Sequence, residues 1–94
     1  GLVDNGFGVM ITSVACDGLD ESWIGKILDQ DSLQELIQLS KKYRFNADGE
    51  GGEYETLVVR GPHFDGEIDI VGNVKWHGRR GELIIDKMSV SLDG

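Results

Sequence analysis

Between Phe7 and Ala15 the chain reads FGVMITSVA, a nearly unbroken apolar run with β-branched residues. The pattern predicts a strand buried on both faces, as in a parallel or mixed sheet. Asp17-Gly18 closes it with a turn signal. Asp20 then caps a predicted short helix that carries Trp23, Ile24, Ile27 and Leu28 on one side and is weakened by Gly25. A second helix follows. Ser32 and Glu35 have the spacing of a capping box, and Leu33, Leu36, Ile37 and Leu39 supply a buried stripe. Lys41, Lys42 and Arg44 complement the helix dipole near its end. Tyr54 to Val59 reads as a strand stopped by Gly61-Pro62, and a hairpin completes the chain. Ile68, Ile70, Val74 and Trp76 alternate on one arm; Ile84, Met88, Val90 and Leu92 share a face of the other. His77-Gly78-Arg79-Arg80-Gly81 connects the arms, and Asp69, Lys75, Asp86 and Lys87 point outward. The expected class is α+β: about four strands in a mixed sheet with a C-terminal antiparallel hairpin, and two helices.

Ninety-four residues bound this to a single domain, residues 1–94, with one modest core. Apolar residues at 39% and charged residues at 28% are ordinary for a globular protein, and no apolar run approaches the ~20 residues of a membrane span. Cys16 is alone, which excludes an internal disulfide and fits packing as a small apolar side chain. The net charge of −8 argues against a nucleic-acid surface, since phosphates repel such a chain unless its bases are gathered on one face. The opening directly into a buried-type strand predicts that the run from Phe7 leaned on something upstream, as in a domain excised from a larger protein.

The candidate chemistry lies at Asp48 to Leu57, DGEGGEYETL, where three glycines and three glutamates interleave. Glycine permits positive φ and close approach of another group. Carboxylates crowded into such a bend repel one another, so folding alone does not ask for them. A cation-binding or catalytic role answers to the pattern; a solvated acidic loop between helix and strand is the plain alternative. An EF-hand fails on register. With Gly49 at loop position six, Glu55 reaches position twelve but Arg44 falls on position one, where a carboxylate belongs. No GxxxxGK[ST] or GxGxxG phosphate loop occurs, His63 and His77 lack a metal-pair spacing, and no serine sits in a nucleophile elbow. No metal site is expected.

The stretch GEGGEYETLV, Gly49 to Val58, followed by Gly61-Pro62 and Phe64, is similar to the C-terminal half of the N-type ATP pyrophosphatases. These belong to the PP-loop superfamily and include diphthine–ammonia ligase. GLDESWIGKILD, Gly18 to Asp29, matches a second family stretch; the helix from Leu33 to Tyr43 and the terminal hairpin fall where the family has them. The family's nucleotide loop, SGGKDS, is absent from Gly1 to Gly94. The resemblance therefore implies the substrate-side C-terminal domain of a longer ATP-dependent amide ligase, whose N-terminal nucleotide-binding domain is its first partner and holds ATP with Mg. The chain by itself is then expected to bind no cofactor and to turn nothing over. In the family, ATP adenylates the carboxylate of diphthine, a modified histidine of translation elongation factor 2, and ammonia displaces AMP to give diphthamide. The resemblance implies a cytoplasmic protein with elongation factor 2 as substrate, and no nucleic-acid or membrane partner. It gives Glu50 and Glu53 the catalytic handling of the cationic substrate or ammonium. Gly49, Gly51 and Gly52 fit the loop closely around it, Tyr54 and Trp23 offer aromatic faces to a quaternary ammonium, and Glu55 and Thr56 complete the substrate contacts. Two other readings of the same residues stand beside it: a non-catalytic module whose acidic glycine-rich loop binds a protein or cation, and an oligomerisation domain.

Overall fold

A computed structural model describes residues 3, 5–47, 49, 51–62 and 65–92. β1 (Gly8–Val14) runs through the middle of a five-stranded sheet and is the element on which the others assemble. On one side it pairs with β3 (Tyr54–Arg60). On the other its first half pairs with the two-residue β2 (Ile27–Leu28) and its end with β5 (Arg80–Leu92), itself paired with β4 (Gly66–His77). Where the edge passes from β2 to β5, the Gly25 N–H donates to the Ile11 carbonyl at 2.7 Å. All pairings are antiparallel, which corrects the expected mixed sheet: β1 is a buried run because its neighbours and the helix cover it, not because it is parallel.

The helical expectations are corrected at two points. The segment after Asp20 is a single 3-10 turn, Glu21–Trp23, and Ile27–Leu28 is strand. Asp20 does cap the turn, accepting the Ser22 N–H at 3.0 Å, but Gly25 at φ +86° bends the chain back onto β1 before a helix can propagate. The one α-helix among the described residues, α1 (Gln30–Tyr43), starts earlier than expected. Its N-cap is Asp29, whose carboxylate accepts the Ser32 N–H at 2.7 Å while Ser32 Oγ accepts the Asp29 N–H at 2.8 Å. The reciprocal box is therefore Asp29 with Ser32, not Ser32 with Glu35. Its buried face is Ser32, Leu36 and Ser40, with Leu33 and Leu39 only partly covered. Two small serines bring the helix axis close to the sheet, and Ser40 satisfies its hydroxyl on the Ile37 carbonyl at 2.6 Å.

Hydrogen bonds from Ser32 hold the Asp29 carboxyl below its ordinary range. A depressed native pKa stabilises the fold above the unfolded value, about 3.9, and that contribution fades as the pH falls through the native one. Asp29→Asn keeps the capping geometry without the titration. Its melting temperature is expected to decline less than the parent's between about pH 4 and the acid limit, and parallel melts across that range check it.

Val9, Ile11 and Val14 of β1 form the core with Leu19, Trp23, Ile24, Leu28, Leu36 and Tyr54. A row of paired residues, Tyr54–Val14–Gly81–Trp76, crosses four strands and faces this core. The next row, Glu55–Ser13–Glu82–Lys75, faces the other way, because side chains alternate along each strand.

The hairpin has arms β4 and β5 of 12 and 13 residues in a domain whose extents are 42 × 29 × 19 Å. Its tip is the two-residue turn Gly78-Arg79, with Gly78 at φ +67° as a type II′ turn requires. Pairing passes from Val71↔Lys87 to Gly72↔Ile85, so Asp86 is an extra residue. A Cβ on Gly72 would lie 2.3 Å from the Ile84 carbonyl oxygen, so only glycine lets the bulge form. The bulge shifts the alternation by one, and Ile85, not Ile84, shares a face with Met88, Val90 and Leu92. With Ile68, Ile70, Val74, Trp76 and Leu83 they make one continuous apolar face. Near the open end it is uncovered: Met88 is 51%, Val90 58% and Leu92 74% exposed. No helix among the described residues is long and apolar enough to cross a membrane.

Candidate functional site

The glycine-glutamate loop leaves α1 through Arg44, a left-handed cap whose N–H returns to the Ser40 carbonyl. Two linked turns then carry the chain around: the Gly49 N–H donates to Asn46 O at 3.1 Å, and the Gly52 N–H to Gly49 O at 3.0 Å. Gly49 and Gly52 both have positive φ, +75° and +82°. Gly51 differs from both: a Cβ there would sit 2.4 Å from a carboxylate oxygen of Glu53, so a larger residue would displace that carboxylate. Two of the three glycines, Gly49 and Gly52, thus have a backbone cause. Asp48, Glu50, His63 and Phe64 lie outside the described residues.

Glu53 turns inward. Its Oε1 accepts the Asn46 N–H at 3.2 Å and ties the two ends of the loop together. Its Oε2 is shut off from solvent and has no hydrogen-bond partner among the described residues. A carboxylate oxygen in that state lacks the donor that burial ordinarily demands. The group also acts on Cys16: burial first, then the negative charges of Glu53 and Asp17, push the thiol above its ordinary range. Cys16 therefore keeps its proton at neutral pH.

Tyr54 lies beneath the loop. Its hydroxyl donates to the Ala47 carbonyl, and the space a Cβ on Gly49 would fill is bounded by the tyrosine ring at 3.0 Å. At 8% exposure it is a floor for the loop and not an open aromatic wall. Trp23, the other aromatic candidate, is a core residue at 4% exposure with the Lys26 ammonium 4.7 Å over its ring. Its ring belongs to the same core cluster as Tyr54. Thr56 stands two residues into β3, exposed and paired with Ile11.

Glu55 faces the opposite side of the sheet from Tyr54 and enters a cleft of about 490 Å³. One wall is Gly52 and Glu55, the floor is Ser13–Ala15 at the end of β1, and the far wall is His77 with Arg80, Gly81 and Glu82 from the hairpin. Ser13, His77, Arg80 and Glu82 escaped the reading of the sequence. They come from three strands whose register a linear pattern does not reveal. The usable signal was parity, since Ser13 and Glu55 each adjoin a core-facing residue, Val14 and Tyr54, and so share the solvent face. Among the described residues no three His, Cys, Asp or Glu side chains are grouped so as to hold a metal ion.

Residues 1–91 match the family model described as the diphthamide synthase C-terminal domain. Among curated proteins, the human diphthine–ammonia ligase is 44% identical over 68 residues, covering 71% of this chain and 25% of that protein. The diphthine–ammonia ligase of Saccharomyces cerevisiae is 40% identical over 74 residues, 76% of this chain and 10% of that protein. That of Schizosaccharomyces pombe is 39% identical over 67 residues, 71% of the chain and 11% of the protein. The matched segment thus spans a quarter of the human relative and about a tenth of the yeast ones.

Proposed function

The chain belongs to the diphthamide synthase C-terminal domain family, and from that membership we propose that it is the substrate-side domain of an ATP-dependent amide ligase that converts diphthine to diphthamide. The carboxylate is activated with ATP and Mg held by a preceding nucleotide-binding domain of the same protein; this chain has no phosphate loop of its own and serves the ammonia side of the reaction. Diphthine on translation elongation factor 2 is the substrate, and the reaction takes place in the cytoplasm.

The observation that carries the reading is the buried Oε2 of Glu53, which has no hydrogen-bond partner among the described residues. Ammonium is a compact cation with N–H donors on every side, and it supplies what that oxygen lacks. Glu53 can take one proton from the bound ammonium; the lone pair so freed forms the C–N bond at the activated carbonyl, the C–O bond to AMP breaks so that AMP leaves, and the surplus proton on the nitrogen passes to solvent. Glu50, next in the same loop, is proposed to share the charge. The turns at Gly49 and Gly52 and the tyrosine floor hold Glu53 in place, so the site needs little reorganisation when substrate arrives. The uncovered apolar face of the hairpin is where the preceding domain would rest, since a contiguous exposed patch of this kind marks a contact surface and the matched relatives are at least four times longer than the matched segment.

The test is a reconstitution. Full-length protein, ATP, Mg, an ammonium salt and elongation factor 2 bearing diphthine are expected to yield one AMP and one pyrophosphate per carboxamide formed. ATP turnover with no gain of amide on the histidine would refute the reading.

A further inference from the structure

On the solvent face, the row Glu55–Ser13–Glu82 places two carboxylates on neighbouring strands at either side of a serine hydroxyl. Two residues further along β5, about 7 Å at strand spacing, Arg80 pairs directly with His77 across the hairpin and both border the same cleft. Among the described residues, Arg80, Glu55 and Glu82 have no ion-pair partner, although charges of both signs line one cavity. By contrast the adjacent Arg79 is engaged, its guanidinium 3.7 Å from Asp17, and it borders a different hollow with Cys16 and Trp76.

The geometry points to an oxyanion-holding subsite at the hairpin tip, formed by Arg80 with His77, facing the acidic wall of the cleft. Arg80 offers a planar fork of N–H donors suited to a carboxylate or phosphate, and His77 has a ring N–H to donate in either protonation state. The ligand that fits carries an oxyanion at one end and a cationic group at the other, so Arg80 orients it by gripping the end the glutamates repel. The assignment of the cationic end rests on the function proposed above; the oxyanion end stands on the cleft alone.

The experiment uses isotopically labelled full-length protein and follows backbone amides while inorganic phosphate, acetate (as sodium salts) and ammonium (as chloride) are added in separate titrations. Phosphate or acetate is expected to shift the amides of residues 77–82, with affinity reduced about tenfold in Arg80→Gln and unchanged in Arg79→Gln. The tighter of the two anions shows whether the group gripped is a carboxylate or a phosphate. Ammonium is expected to shift the amides of residues 49–55 in the parent and in Arg80→Gln alike. Absence of any anion response at residues 77–82, or equal losses in both arginine variants, overturns the subsite. Absence of the ammonium response with the anion response intact overturns the acidic-loop reading and leaves the subsite standing.

Discussion

Glu53→Gln in the full-length protein is expected to lower the rate of amide formation about 100-fold while leaving the melting temperature nearly unchanged. The size follows from removing a preorganised charge, or a positioned proton acceptor, from a water-shielded site. The neutrality towards folding follows from the geometry. A glutamine carbonyl oxygen still accepts the Asn46 N–H, and the side chain still fits the space that Gly51 leaves by having no Cβ. The position of the former Oε2 becomes an amide N–H₂, a donor where the substrate nitrogen needs an acceptor. Glu53→Ala differs in kind, because it also cuts the tether to Asn46 and frees the loop. The measurement is carboxamide formed per minute at low and saturating ammonium, with a thermal melt of each variant. Equal rates for parent and Glu53→Gln would remove Glu53 from the chemistry and leave it a loop tether.

How far the fold could be read from the sequence depends on whether each contact is local. The strands β1, β3 and the hairpin are visible because apolar alternation is a property of consecutive residues. The Asp86 bulge is not, since it is defined by what stands across the ladder, and a one-residue slip reverses the face of everything beyond it. Ile27–Leu28 has a helix-like spacing with Trp23 and Ile24, yet two backbone bonds to β1 outweigh so short a pattern: Ile11 N–H to Lys26 O at 3.0 Å and Gly25 N–H to Ile11 O at 2.7 Å. Asp29 as cap is legible in principle, because aspartate with serine three residues on is as good a box as serine with glutamate. The acidic loop itself is conspicuous in the sequence, but which carboxylate turns inward is decided by Asn46 and Tyr54, contacts made only once β3 pairs with β1.

Leu36→Ala is expected to cost about 2–5 kcal/mol, the range for deleting a fully buried leucine, and to lower the melting temperature by roughly 10 °C or more. Leu36 is 0% exposed and lies between Ser32 and Ser40 on the helix face that meets the core. Serines are too short to fill the volume a truncated Leu36 would leave, and Leu33 and Leu39 are set to either side. Leu36→Met, which keeps the volume, is expected to cost less than about 1.5 kcal/mol. The consequence extends to the loop. α1 ends at Tyr43, Arg44 returns its N–H to Ser40, and Asn46 two residues on is the group that Glu53 grips. A helix that rides loosely on the sheet moves Asn46, and with it the inward pose of Glu53. Full-length Leu36→Ala, assayed well below its own melting temperature, is therefore expected to form amide more slowly than the parent, whereas Leu36→Met is not. Chemical denaturation gives the stability and the amide assay gives the rate. A full-rate Leu36→Ala enzyme of reduced stability would show that the loop holds its shape from Tyr54 and its own turns, without the helix.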